Sequence, residues 1–177
     1  MRRSLVQFVT ISITVACSPV SIGVPRDTDA PIQTDRSQYV AKRVSQGVEF
    51  TIPFTFTNTT SETVFLPNCR VSGKIDLDMI LQKQVDGGWR TVWSPITRLC
   101  LSPPVLIAPQ ETYVDTLRGF GGRPGEPVAP ELQVQEVEGV YRLVWTQLRG
   151  GFRPERYPQG DTLPLALKVS NAFELKY

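Results

Sequence analysis

The chemistry open to this sequence is limited first by the absence of histidine from its 177 residues. The usual general base for a serine or cysteine nucleophile is therefore missing, and neither a Ser-x-x-Lys nor a Gly-x-Ser-x-Gly motif is present. Asp76 and Asp78 alternate along a predicted strand, where they could form a calcium or glycosidase pair or lie on a solvated face. We predict no catalytic residue, and the enzymatic alternative is one that uses only carboxylates.

Motifs for cofactors and metals are also missing. The cysteines lack the Cys-x-x-Cys spacing of zinc sites. The glycines of Arg118–Pro127 lack the Gly-Lys-Ser/Thr ending of a phosphate-binding loop, so a mobile loop is favoured. Trp89, Trp93 and Trp145 could stack on a sugar, but filling a sandwich core is favoured. We predict no cofactor and no metal.

Two stretches of similar composition, LRGFGGRPGE from Leu117 and LRGGFRPERY from Leu148, are predicted to leave strands as loops. Arginine and aromatic residues are enriched at the centres of protein interfaces. We therefore predict a partner-binding surface made of their arginine and aromatic residues, which are Arg118, Phe120, Arg123, Arg149, Phe152, Arg153, Arg156 and Tyr157. The alternative is coincidental loop composition, with the phenylalanines folded onto the core. In a plain antiparallel order the two loops lie at opposite ends, and they meet only if Glu131–Val137 adds a strand.

The elements that position these residues follow a segment with the layout of a secretory signal. Met1–Ser4 is basic and Leu5–Ala16 is mostly apolar. This run is shorter than the roughly 20 residues that a membrane-spanning helix needs. We predict a signal peptide over residues 1–16, a proline-rich tether over residues 17–31 and one β-domain over residues 32–177.

The run Thr14-Val15-Ala16-Cys17 resembles the lipobox of bacterial lipoproteins, although those families usually have leucine where Thr14 stands. The resemblance implies that Cys17 receives a diacylglyceryl group, becomes the new N-terminus and anchors the chain to a membrane without crossing it. It places the protein in the cell envelope, on the periplasmic face of the outer membrane if the cell has two membranes. Ordinary cleavage near Ala16 and a buried cysteine are the alternatives.

The cysteine count favours the lipid anchor. There are three cysteines, and acylation of Cys17 leaves Cys69 and Cys100 as an even pair. An exported protein is in a compartment that permits a disulfide between them, and two reduced, buried thiols are the alternative.

Charge excludes one class of partner. Removing residues 1–16 takes away Arg2 and Arg3 and no acidic residue, so 17 basic side chains face 17 acidic ones. Proteins that bind nucleic acid by neutralising phosphates have a basic excess, so we predict no nucleic-acid partner.

The hydropathy pattern indicates strands. In GVEFTIPFTFTN, apolar residues alternate with polar ones from Val48 to Phe56, which predicts a strand with one buried face. Asp86-Gly87-Gly88 between two extended runs indicates a hairpin. Further strands are predicted at Thr112–Leu117, Val140–Leu148 and Leu163–Val169. Strands without intervening helices predict an all-β, antiparallel sandwich.

Two resemblances refine this fold. Glu136–Trp145 is similar to the corner before a late strand of immunoglobulin-like domains, in which the Tyr141 hydroxyl bonds back to upstream backbone, although Leu143 stands where those domains have cysteine. Val48–Leu148 also resembles small bacterial β-sandwich domains named after an intracellular proteinase inhibitor.

The predicted function is that of a non-catalytic envelope lipoprotein whose sandwich binds or scaffolds another envelope protein. A proteinase inhibitor is the alternative, with Pro154–Gly160 or the glycine-rich stretch at Arg118 as the loop presented to a protease. A carboxylate-based envelope enzyme is the second alternative.

Overall fold

The structure, a computed structural model, describes residues 27–71, 74–76, 78–96, 102–157 and 159–177. The predicted signal peptide, Cys17 and residues 18–26 of the tether lie outside the described residues, as does Cys100. The lipid anchor on Cys17 and the Cys69–Cys100 disulfide therefore stay predictions.

The regular secondary structure of the described chain is almost entirely β-strand. Its strands are, in order, β1 (Ile32–Thr34), β2 (Gln38–Val40), β3 (Lys42–Val44), β4 (Gly47–Thr57), β5 (Val64–Val71), β6 (Lys74–Asp76) and β7 (Met79–Val85). They continue with β8 (Gly88–Trp93), β9 (Ser102–Ile107), β10 (Thr112–Gly122), β11 (Gly139–Trp145), β12 (Arg149–Gly150), β13 (Asp161–Thr162) and β14 (Phe173–Lys176). Single 3₁₀ turns span Pro154–Arg156 and Leu165–Leu167. The prediction of an all-β sandwich is confirmed.

The first sheet is centred on β4, which pairs with β10 along its whole length and with β1 and β3 on its other side. The predicted alternation is confirmed, because every second residue of β4 from Val48 to Phe56 is buried. The residues between them form the outer face of this sheet.

The second sheet has the order β2-β14-β11-β7-β8. The predicted hairpin joins β7 to β8, and Asp86 and Gly87 have φ values of 50° and 78°, as a two-residue hairpin turn requires. The predicted corner is also present, because the Tyr141 hydroxyl donates to the carbonyl of Val137. One pair departs from the antiparallel prediction, since β2 runs parallel to β14.

A third sheet, also of five strands, has the order β13-β12-β5-β6, with β9 also on β5. Val64 and Leu66 of β5 join the main core, whereas Phe65 between them points the opposite way.

The core lies between the first two sheets and is rich in edge-on aromatic pairs. The ring centroids of Phe50 and Trp93 are 5.1 Å apart, and those of Phe54 and Phe56 each lie 5.6 Å from Trp145. Trp93 and Trp145 are 4% and 1% exposed, so both serve the core.

A buried polar pair joins the first strand to the last part of the chain. The backbone N–H of Thr34 donates to Asn171 Oδ1 at 2.7 Å, and Asn171 Nδ2 donates to Thr34 Oγ1 at 2.9 Å. Because both partners are buried, each satisfies the other's hydrogen-bonding groups where water does not reach.

The strand predicted at Thr112–Leu117 is longer than expected. It continues as β10 to Gly122 because all of its residues pair with β4. Gly119 faces the core beneath Phe50, and a Cβ there would overlap Phe50 Cζ. Glycine therefore admits the Phe50 ring here and does not mark a loop.

The prediction of a strand at Leu163–Val169 is wrong for most of these residues. The Pro164 carbonyl accepts from the Leu167 N–H at 3.0 Å, which closes a 3₁₀ turn over Leu165–Leu167. Val169 alone bridges to Val144 of β11. The leucines alternate in sequence, but a tight turn brings them together instead of an extended ladder.

Candidate functional site

The predicted partner-binding residues do not form one surface. Arg118, Phe120 and Arg123 lie in or just after β10, at the end where Gly122 pairs with Gly47. The remaining five are those of the second stretch, namely Arg149, Phe152, Arg153, Arg156 and Tyr157. These follow β11 and lie beside the start of β5, at the other end of the sandwich.

The distance between the groups follows from β4. This strand has 11 residues, which corresponds to about 33 Å at roughly 3.3 Å per residue. Phe120 lies opposite Glu49, near its beginning. The Phe152 N–H donates to the carbonyl of Thr63 at 3.5 Å. Thr63 lies just after the turn that follows the end of β4. Glu131–Val137 does not link the groups, because its described pairing is a single bridge from Glu131 to Gly122.

In the first group, two residues belong to a strand and not to the predicted loop. Arg118 is exposed on the outer face of the first sheet. Phe120 is half-buried over Gly47, and its carbonyl accepts from Trp93 Nε1 at 2.8 Å. Arg123 follows the strand, and its Nη2 donates to the carbonyl of Val44 at 3.1 Å.

The second group is built on Phe65. This side chain is fully buried although it does not belong to the main core. Phe152 packs edge-on against it with 5.3 Å between ring centroids, and Tyr157 lies 6.1 Å away at a tilt. We call Phe65, Phe152 and Tyr157 the aromatic platform. The alternative to a partner-binding surface was that the phenylalanines fold onto the core. This is correct in part for Phe152, because its ring covers Phe65 but remains partly exposed.

The loop over this platform, Gly151–Gly160, presents two exposed guanidinium groups. Its 3₁₀ turn is closed by the Arg156 N–H, which donates to the Arg153 carbonyl at 3.0 Å. Arg153 and Arg156 are exposed, and within the described chain neither forms an ion pair. We call these two arginines with Phe152 the loop surface. Arg149 lies behind it in β12, half-buried, with Nη2 3.5 Å from Gln147 Oε1.

Carboxylates border the loop surface. An open depression of about 530 Å³ beside it is lined by Glu62, Phe152, Arg153 and Glu155. Asp161 Oδ2 and Glu62 Oε2 both approach Gly151, at 2.6 and 3.8 Å from the position of a Cβ there. Both side chains are exposed, so they do not form the enclosed acid pair of a glycosidase. The depression is therefore open to solvent and lined by side chains of both charges.

Sequence reasoning missed Phe65, which holds the loop surface in place. The available signal was the uninterrupted apolar run Val64-Phe65-Leu66, because consecutive apolar residues in a strand indicate burial on both faces. The covering element had to come from elsewhere in the chain, and the sequence does not say which.

The remaining residues considered for chemistry are Trp89, Asp76 and Asp78. Trp89 is half-buried, and the Arg142 guanidinium lies 4.4 Å from its ring centroid, where burial lowers the pKa of that arginine. The carbonyl of Asp78 accepts from Thr146 N and Oγ1, and Asp76 lies in β6. The described part of the chain contains no group of three or more acidic or cysteine side chains placed to hold a metal ion.

Two further observations bear on function. None of the described helical turns is long and apolar enough to cross a membrane. No protein-family model, curated protein or solved structure matches this chain significantly.

Proposed function

We propose that this protein is a non-catalytic lipoprotein of the cell envelope, anchored through Cys17, which binds another envelope protein by its loop surface. The basic and apolar N-terminus and the lipobox-like run support the anchor. In a cell with two membranes, the anchor would lie in the periplasmic leaflet of the outer membrane.

The observation that supports partner binding is the combination of exposed arginines and a fixed aromatic support. Arg153 and Arg156 have no described acidic partner in the monomer, and the 3₁₀ turn and the aromatic platform restrict the loop that presents them. Restricting a loop before binding lowers the entropy lost on association. Arginines beside an aromatic ring are typical centres of binding energy.

The inhibitor alternative has less support. A peptide that is recognised along the sheet edge of another protein binds in an extended form. The first proposed inhibitor loop is not extended, because Pro154–Arg156 forms a 3₁₀ turn. The other proposed loop begins at Arg118, and its first residues are paired within β10.

The test compares capture of envelope proteins by the full chain in detergent. Wild type and an R90Q/R118Q control, which removes two exposed arginines elsewhere, should retain the same specific partner. The R153Q/R156Q variant should lose it. Equal capture by all three proteins would contradict the assignment of the loop surface, and inhibition of a protease panel would favour the inhibitor instead.

The anchor has a separate test. Metabolic labelling with a palmitate analogue should mark the wild-type protein and not Cys17→Ala. Label that persists in the variant would exclude Cys17 as the acylated residue.

A further inference from the structure

A cleft at the end of the sandwich opposite to the loop surface has a different chemistry. It has a volume of about 240 Å³ and opens between β3, the loop after β10 and the end of the chain. We call it the arginine cleft, with Arg43, Arg123 and Tyr177 at its rim and Val48, Leu132 and Val137 on its floor.

The rim contains two guanidinium groups that are positioned but not neutralised. Arg43 Nε donates to the Tyr177 hydroxyl at 3.0 Å, and its guanidinium lies 4.6 Å from the centroid of that ring. Arg123 is held by its bond to Val44. Neither has an acidic partner within 4.0 Å among the described residues. Each therefore keeps N–H donors for an anionic ligand in the cleft that both line.

The floor is apolar. Val48, Leu132 and Val137 are 2%, 1% and 7% exposed. Leu132 is fixed in place because its N–H donates to the Gly122 carbonyl at 2.9 Å, and Val137 because its carbonyl accepts from the Tyr141 hydroxyl. Gln135 also lines the cleft, so a ligand that reaches the arginines meets both apolar side chains and one amide.

Volume and charge narrow the ligand further. The cleft is smaller than the roughly 300–1,000 Å³ of sites that enclose a whole drug-sized molecule, so it fits an end group. Two cations over an apolar floor suit a singly charged carboxylate better than a phosphate dianion, because placing a second charge against apolar side chains costs desolvation free energy. Guanidinium groups bind carboxylates and phosphates alike in a two-pronged geometry, so the preference for a carboxylate rests on the apolar floor.

We propose that the arginine cleft binds a carboxylate joined to one apolar side chain, the chemistry of a peptide's C-terminal residue or of a small apolar acid. Arg43 and Arg123 bind the carboxylate, and the floor receives the side chain. The site is independent of the loop surface and of the partner proposed for it.

The probe is N-acetyl-L-leucine, titrated calorimetrically into the full chain in detergent, with N-acetyl-L-leucinamide as its uncharged match. We expect a Kd on the order of 1 mM for the acid, as suits a ligand of this size. The amide should bind at least tenfold more weakly. Arg123→Gln should weaken binding of the acid at least tenfold, and Arg90→Gln, a control on the exposed face of β8, should leave it unchanged.

Arg43→Gln gives a second route to the same answer if Arg123→Gln does not fold. Equal affinity for acid and amide, or unchanged binding in the arginine variants, would overturn the proposal, as would binding of inorganic phosphate without binding of the acid. A tetrapeptide that ends in leucine identifies the source. Tighter binding than N-acetyl-L-leucine supports a peptide terminus, and equal binding supports a small acid.

Discussion

The two ends of this sandwich use arginine and aromatic residues in opposite ways. At the loop surface, Arg153 and Arg156 project outward from a turn that is supported from below by the aromatic platform. In the arginine cleft, Arg43 and Arg123 surround a recess with an apolar floor. We have proposed a protein partner for the first arrangement and an apolar carboxylate for the second.

The contrast shows that composition alone does not decide what such residues do. The stretches that begin at Leu117 and Leu148 have similar composition. The first continues the long strand β10 to Gly122, whereas the second contains only the two-residue strand β12. The register of β10 against β4 fixes Arg118 and Phe120 on the outer face of a sheet. Register, which depends on a distant strand, therefore separates the two ends.

The largest expected effect is on the aromatic platform. Phe65→Ala removes a fully buried ring, so the free energy of unfolding should fall by about 3–5 kcal/mol. Urea denaturation followed by tryptophan fluorescence measures this loss, with Phe152→Ala as a partly exposed comparison that should lose less. If the folded F65A protein also lost binding of N-acetyl-L-leucine, the two ends would not be independent.

Alkaline pH should weaken the body that the two ends share. Burial and a hydrogen bond to Asp35 raise the pKa of Tyr39 from 10.0 to about 12. The folded state therefore keeps its phenol proton when the unfolded state has lost it. The stability that this group contributes is fully present below pH 10 and is lost as pH rises towards 12.

Thermal unfolding measured from pH 9 to pH 11.5 checks this expectation, and Tyr39→Phe should show a shallower decline than wild type. Burial also raises the pKa of Tyr141 and Tyr113, so part of the decline remains in that variant. Identical slopes for the two proteins would argue against the Tyr39 contribution.

A smaller effect is expected from Tyr141→Phe. The variant leaves the buried Val137 carbonyl without its donor, which should cost about 1–3 kcal/mol of stability. Because Val137 lies on the floor of the arginine cleft, hydrogen exchange in residues 131–138 should increase. Exchange in residues 151–157 should not change, and an equal increase there would remove the distinction between the ends.

The smallest effect on stability is expected at the loop surface itself. Arg153 and Arg156 are exposed and without described ion pairs, so R153Q/R156Q should change the free energy of unfolding by no more than about 0.5 kcal/mol. The same urea measurement tests this. A larger loss would mean that the arginines stabilise the fold instead of serving a partner.

Much of the fold follows from local sequence. The alternation in β4, the hairpin at Asp86–Gly87 and the corner at Tyr141 depend on neighbouring residues, and the sequence predicts all three. The glycines of β10 were wrongly interpreted as a loop. Gly119 is glycine because the Phe50 ring of β4 packs over it, and a contact with another strand is not visible in the local sequence. The sites were harder to predict, because Phe65 packs against Phe152, 87 positions away, and Arg43 bonds to Tyr177, 134 positions away.

The chain enters β1 at one end of the sandwich. The Thr57 N–H donates to the Pro31 carbonyl at 3.1 Å, so the polypeptide arrives at the end of β4 next to the loop surface. If Cys17 is acylated as proposed, the tether to the membrane is attached at that end. The loop surface would then be the end of the domain nearer to the attachment of the tether, and the arginine cleft the end farther from it.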